Sequence, residues 1–415
     1  MINGCRLCTG SRPGKREMLV TRVLGDCPAC KGKNTFGNVS VRRDHVLRGC
    51  KTCSYESAAR LPDIRKKVLY LDQFFFSHAF RGSDQRFLTA IERVKQVCHL
   101  QLLVAPYSSV HEDETHQWRG YKDKTHAQLM EFIKLTARGM ESERSYNIES
   151  AQILKAFSAY LKGDPSQHEI ESADAVRGEL DAWDDYFFID VGGYWHDVET
   201  KRRLKAEAVD QLVTTLDAWQ QSTQSFDEDV ALEYHDAGRL YMQFYIDKVN
   251  RIRRGDVGTV LDSPIMASIV GYMRDHLPKD MPELEQLQRC ADFFKSEHFA
   301  QVPHEWLSAR LFATLKSMVK RGAYANRLEA RKRLSGVFDD IKHISLYAPY
   351  CDAFVMDTPM AELVRQPSVG LESRYGVRVF SLNNWDEFLG WMDALEAGMS
   401  AEHLAGVEAA YPTRS

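Results

Sequence analysis

The sequence predicts an α/β protein: an open parallel sheet, interrupted by a large all-α insertion and preceded by a small cysteine-rich head. Three observations carry this. Two C-x2-C pairs stand near the amino end, short β-branched and aromatic runs that end in acids occur at both ends of the remainder, and apolar residues between those runs recur with helical period. The chain has 415 residues, of which 44% are hydrophobic and 27% charged, enough for a sizeable buried core. No run approaches the ~18 apolar residues of a membrane span, and no apolar leader stands at the amino end, so a soluble, cytoplasmic protein that does not contact membranes is expected.

The head spans residues 1–67. Cys27-Pro-Ala-Cys30 and Cys50-Lys-Thr-Cys53 are separated by nineteen residues, the pattern of two knuckles that close a tetrahedral thiolate site, and soft ligands at four-coordination suit Zn²⁺. Between them Asn38–Val41 and Asp44–Arg48 alternate like a small hairpin, so the segment resembles a zinc ribbon. So small a module needs its metal for stability, and a closed four-thiolate site leaves no position for catalysis, so the zinc is expected to be structural. Cys5-Arg-Leu-Cys8 is a third knuckle without a fourth pair; it is either metal-free or shares a site with His45. The head is also basic, with 15 Lys+Arg against 5 Asp+Glu, whereas the rest carries 39 against 53. That asymmetry points to a polyanion such as nucleic acid as the head's partner, the alternative being a solvated surface that offsets the thiolates.

Residues 68–120 begin with Val68-Leu-Tyr-Leu-Asp72, an apolar strand closed by one acid. A helical pattern from about Asp84 to Val97 leads to a second run, Leu100–Pro106, and strand, helix, strand is the crossover unit of a parallel sheet. Ser108 or Ser109 then caps a helix whose first turns hold Glu112, Asp113 and Glu114. Residues 121–340 read as helix after helix, with breaks such as Gly163-Asp-Pro165 and Val191-Gly-Gly193. This block is expected to shape a substrate channel or to carry a homo-oligomer or protein-partner interface. From 341 the strand pattern returns: Ala353–Met356 ends in Asp357, Thr358-Pro359 opens a helix, Val377–Leu382 is a further strand, and Asn383 or Asn384 caps a closing helix.

Asp72, Glu112 or Glu114, Asp352 and Asp357 thus fall at strand ends or helix starts, where an open α/β sheet binds ligands. Carboxylates gathered in one cleft repel each other unless a cation neutralises them, and oxygen-only ligands suit Mg²⁺ or Mn²⁺. Competing motifs fail. His111 and His116 stand five apart where a zinc-protease helix needs four, and no P-loop, GxGxxG or GxSxG is present.

Leu69–Gln73, Pro106–His111 with its following acids, and Ile344–Asp357 together resemble the PIN-like nuclease family. The resemblance implies a Rossmann-like sheet, an acidic Mg²⁺ or Mn²⁺ site and phosphodiester hydrolysis, most often of RNA, that leaves a 5′-phosphate and a 3′-hydroxyl. It assigns metal-holding roles to Asp72, Glu114 (or Glu112), Asp352 and Asp357. The family's usual Asn two residues after its first acid is Phe74 here, with Gln73 a partial substitute. The expectation is therefore a metal-dependent nuclease, and by that resemblance a ribonuclease. The alternative is a non-catalytic adaptor or nucleic-acid binder that keeps the ribbon and a degenerate body.

Overall fold

The fold is given by a computed structural model that describes residues 18–183, 198–256, 258–259 and 266–412. The Cys5–Cys8 knuckle and the Val191–Gly193 break lie outside them. Two four-stranded sheets organise the chain. In the first, β1 (Arg22–Gly25), β2 (Phe36–Arg42), β3 (His45–Cys50) and β4 (Glu56–Arg60) form an antiparallel meander. The two-residue turn Arg43-Asp44 pairs Arg42 with His45 and carries the expected hairpin to both cysteine knuckles.

The second sheet is wholly parallel, in the order β6 (Leu103–Val104), β5 (Lys67–Leu71), β7 (Ala353–Val355), β8 (Arg378–Phe380). All four strands are short. The Leu100–Pro106 run contributes only two residues to the ladder, because Gln101 takes a left-handed φ of 60° directly before it. β5 and β7 are central and buried on both faces, and their residues alternate between two cores. Leu69, Leu71, Ala353 and Val355 pack under the helices Gln73–Arg81, Gln85–His99 and Trp385–Ala397. Val68, Tyr70 and Phe354 pack under Pro303–Lys320, Val337–Tyr347 and Thr358–Val364.

The residues between β6 and β7 are helical, as their period requires. The longest segments are Ser145–Lys162, Val198–Gln221, Phe226–Arg253 and Pro303–Lys320. They form a third core, around Phe157, Tyr241, Phe293 and Phe299, and also complete one face of the parallel sheet. The helix Val337–Tyr347 runs across the boundary expected at residue 340 and belongs to the sheet.

The cysteine-rich module does not stand apart from the body. Val46 and Leu61 share a fourth core with Trp183 and with Val407 and Ala410 of the last helix, Ala401–Ala410. Trp183 is fully buried and donates Nε1–H to the Pro62 carbonyl at 2.7 Å. A Cβ on Gly406 would sit 2.7 Å from the Trp183 ring, so only glycine lets the last helix approach so closely. Trp183→Ala is expected to cost about 3–4 kcal/mol in a denaturant titration, the cost of emptying a large buried aromatic site. A change under 1 kcal/mol would show that module and body are not one cooperative unit.

Candidate functional site

The chain reverses its direction of travel across the sheet between β5 and β7. From β5 it crosses outward to β6, and from β7 outward the other way to β8. Ligands in open α/β sheets bind at the carboxyl ends of strands at such a switch point. Asp72 follows β5 and Asp357 follows β7, so the two flank this crevice. Each also caps a helix. Asp72 Oδ1 accepts the Gln73 amide at 2.7 Å, and Asp357 Oδ1 accepts the Met360 amide at 2.9 Å. The cap of Thr358–Val364 is therefore Asp357, one residue earlier than the sequence suggested, with Pro359 in the first turn. Binding one oxygen to the backbone fixes each carboxylate and leaves its second oxygen for the crevice.

Glu114 arrives on the helix Ser109–Gln117, which β5 itself holds in place. The Tyr70 hydroxyl meets Ser108 Oγ at 2.8 Å, and the Ser108 amide donates to His111 Nδ1 at 2.9 Å. With Nδ1 accepting, the ring proton is on Nε2, which donates to the Leu71 carbonyl at 2.8 Å. Burial holds the imidazole neutral, with its pKa lowered to about 4. Gln73 Nε2 then donates to Thr115 Oγ1 at 2.9 Å. His111 and Thr115 lie on one helical face, and Glu114, three residues after His111, is carried to Asp72 on that same face. The amide of Gln73 is thus spent on anchoring the helix, while its Oε1 is buried without a partner among the described residues.

Three further groups stand at this edge, of which Asp340 and Lys205 were not expected there and His343, next to the Ile344–Asp357 segment in sequence, was expected at most to orient a phosphate or a water. Asp340 and His343 stand three apart on one face of Val337–Tyr347, and Glu114, Asp340 and His343 each offer a ligand atom within 4.8 Å of the others. Two ligands trans on an octahedral ion at about 2.1 Å are about 4.2 Å apart, so this spacing fits a single cation. Lys205, from Val198–Gln221, pairs with Asp339 at 2.8 Å and is the cation that offsets the acids. The signal for the first pair was present as D-x-x-H on an amphipathic helix leading into a strand. Lys205 left no sequence signal.

Electrostatics set the carboxylates of the cluster against one another. Burial, and then the charge of Asp357, push Asp72 up to about 7; burial, and then Asp72, push Glu114 up to about 8. Asp340 is driven well above the carboxylate range by burial and by Asp72, Glu114 and Asp357 together, and burial raises Asp357 as well. Lys205 is raised too: burial alone would lower it, but Asp339 and Glu114 outweigh that. His343 is held neutral, with its pKa well below the usual range, by burial and by the nearby His111 and Lys205. A neutral imidazole can serve as a ligand.

Two expected residues are elsewhere. Asp352 sits at the amino edge, where Oδ2 accepts the Val68 amide and Oδ1 pairs with Lys67 Nζ, both at 2.8 Å. Asp72 instead donates its amide to Val355 at the other end of the same strand pair. Four residues of strand, about 13 Å, therefore separate the two aspartates. Asp352 precedes its strand and Asp357 follows its own, and a parallel strand puts those positions on opposite edges. Glu112 is two residues and about 200° around the helix from Glu114, and it turns to Lys134, 3.9 Å away.

The second metal-competent group is the cysteine module. Cys27, Cys30, Cys50 and Cys53 gather at the knuckle end of the meander, compatible with a zinc ribbon. Sγ atoms of Cys27 and Cys53, and of Cys30 and Cys50, stand 3.7 Å apart. Tetrahedral Zn–S bonds of about 2.3 Å place sulfurs about 3.8 Å apart, so the thiols are preset for the ion. Burial alone would raise the Cys50 thiol, but the Thr35 and Thr52 hydroxyls and nearby amides bring it down to about 5. His45 pairs with Asp44 at 2.8 Å. One tightly held zinc at this cluster is expected by elemental analysis. Cys50→Ser should lose it and melt at lower temperature, and full zinc retention in that variant would overturn the assignment.

No family model matches the chain, and neither a curated protein nor a solved structure is similar to it. The PIN-like resemblance is therefore not supported by a family match, whereas the parallel sheet and the four-cysteine cluster stand on their own geometry.

Proposed function

We propose that the carboxyl-edge cluster binds a divalent cation and hydrolyses phosphodiester bonds in nucleic acid, with RNA the expected substrate. The convergence of the partly buried Asp72, Glu114, Asp340 and Asp357 on one crevice carries the reading. Four carboxylates facing one lysine are destabilising without a further cation, and helix capping accounts for Asp72 and Asp357 but not for Glu114 and Asp340. The donor set fits such an ion: hard oxygens with one neutral imidazole. A bound cation would supply acidity to a water and would neutralise charge on a phosphoryl oxygen.

The chain's own groups do the rest. The amides of Gln73 and Met360 hold Asp72 and Asp357 in fixed orientation. The Tyr70–Ser108–His111 chain fixes Glu114 against them, and Lys205 offers positive charge to an incoming phosphate. Because His343 adds nitrogen to the set, Mn²⁺ should outperform Mg²⁺, as imidazole favours the transition ion. Labelled RNA and single-stranded DNA incubated with Mn²⁺, with Mg²⁺ and with EDTA test this. Cleavage should be metal-dependent, faster in Mn²⁺, and lost in a folded Asp72→Asn variant. No cleavage of either substrate by folded wild-type protein would leave the adaptor reading. One contact favours that alternative: Lys205 already gives Asp339 an internal counter-ion.

A further inference from the structure

Two adjoining clefts share Gln117, Lys205, Val209, Ser335 and Gly336. The first, of about 340 Å³, reaches Glu114, Asp339 and His343. The second, of about 480 Å³, leads away between Val198–Gln221 and the short helix Arg327–Arg333 and is lined by Arg202, Arg331 and Lys332. Lys205 stands where they meet. One continuous groove therefore begins in carboxylates and ends in cations.

The cations are available. Lys332 is exposed and makes no ion pair among the described residues. Arg331 pairs with Asp210 at 2.8 Å, with both side chains about half exposed. Arg202 pairs with Glu199 and donates to the Gln117 carbonyl. Exposed pairs of this kind contribute little to stability, so phosphates can replace the acids at small cost. A small phosphate ester would need only the acidic end. A second, cationic end further along the groove is of use to a ligand whose negative charges repeat along its length.

We propose that this groove carries the backbone of an extended single strand of nucleic acid. Phosphates beside the scissile one lie on Arg331 and Lys332, and the helical insertion, not the zinc module, makes the main polyanion contact. The proposal rests on the nuclease reading for the identity of the acidic end. Clefts of about 340 and 480 Å³ suit the phosphate and base of unpaired nucleotides, so single strands are the substrate class proposed.

The test is fluorescence anisotropy of a labelled 12-mer single strand without a chelator and with no divalent ion added, with full-length wild type, Arg331→Glu/Lys332→Glu, Lys332→Ala, and the cysteine-module pair Lys33→Glu/Lys51→Glu. The expected result is at least a fivefold loss of affinity in Arg331→Glu/Lys332→Glu, with a salt dependence shallower by about 1.4 units of slope, about 0.7 for each phosphate of a single strand that no longer meets a cation. Lys332→Ala, which breaks no ion pair and so controls for folding, should lower the slope by about 0.7. The cysteine-module pair should bind within twofold of wild type. Loss of less than fivefold in the groove variant, a larger loss in the cysteine-module pair, or no binding by wild type would each overturn the proposal. Cleavage in Mn²⁺ separates the two readings. Wild type that binds through Arg331 and Lys332 but cuts nothing refutes the nuclease and keeps the groove. Wild type that cuts while the groove variant binds normally does the reverse.

Discussion

Asp340→Asn is expected to abolish Mn²⁺-dependent cleavage, by roughly 10²-fold or more as for other fixed charged groups at reacting centres, while Asp352→Asn keeps most of it. The two substitutions are chemically identical and fall twelve residues apart, yet they act on opposite edges of one sheet. Asp340 lies within 4.8 Å of the ligand atoms of Glu114 and His343 and feels the charges of Asp72 and Asp357. Removing its charge takes away a donor and part of the field that holds the cation. Asp352 spends both oxygens on Val68 and Lys67 at the amino edge. Its asparagine variant keeps one acceptor for the Val68 amide and loses a half-exposed ion pair, worth about 1 kcal/mol or less. Parallel kinetics and melts on the two variants decide the matter. Equal loss of cleavage with both folded would return Asp352 to the site and remove the reason for naming Asp340.

The strands at both ends of the body were legible because β5 and β7 are buried on both faces and so are written as unbroken apolar runs ending in acids. The four-cysteine module was legible because thiols that close a metal site come in pairs at knuckle spacing. Asp72, Glu114 and Asp357 could be placed for the same reason: a strand end or a capped helix start fixes where the side chain goes. The position of Asp352 was misjudged by counting acids near a strand without asking which end of a parallel strand each one marks. Asp340 and Lys205 were missed for a different reason. Both come from helices whose packing partners are remote in sequence, and helical period says which face is apolar but not which neighbour that face meets. His111 is instructive as well. Its dismissal as a zinc ligand was consistent with its spacing, but its role in tying the Glu114 helix to Leu71 depends on a hydrogen bond across 40 residues.

The metal-free protein should become more stable as pH falls from about 8 toward about 6.5, the opposite of ordinary acid denaturation, and Mn²⁺ should reverse the trend. Below that window the buried neutral imidazoles of His111, His168 and His343 oppose it, since the unfolded chain protonates them first. Asp72 and Glu114 are pushed up to about 7 and 8, and Asp340 and Asp357 are raised with them. In the unfolded chain the same carboxyls titrate near 4. Between about 6.5 and 8 these carboxyls give the folded state more protons than the unfolded state, so unfolding free energy declines as pH rises through that window. The stabilisation is complete below the unfolded values and lost above about 8. Each unit of displacement corresponds to about 1.4 kcal/mol, and because the groups titrate as one coupled set the total is on the order of 5 kcal/mol, below the sum of separate shifts. A divalent cation binds the deprotonated set, so its stabilising effect should be largest near pH 8 and small near pH 5. At a hundredfold excess over its dissociation constant it adds about 2.7 kcal/mol. Thermal melts between about pH 6.5 and 8 without a chelator, with no divalent ion added and then with Mn²⁺, leave the four-cysteine site undisturbed and measure both slopes. Asp340→Asn should flatten the profile without added ion, because it removes one of the repelling charges. A wild-type profile without added ion that is flat, or that rises toward pH 8, would mean the carboxylates are already neutralised within the fold, with no charge left for a cation to relieve.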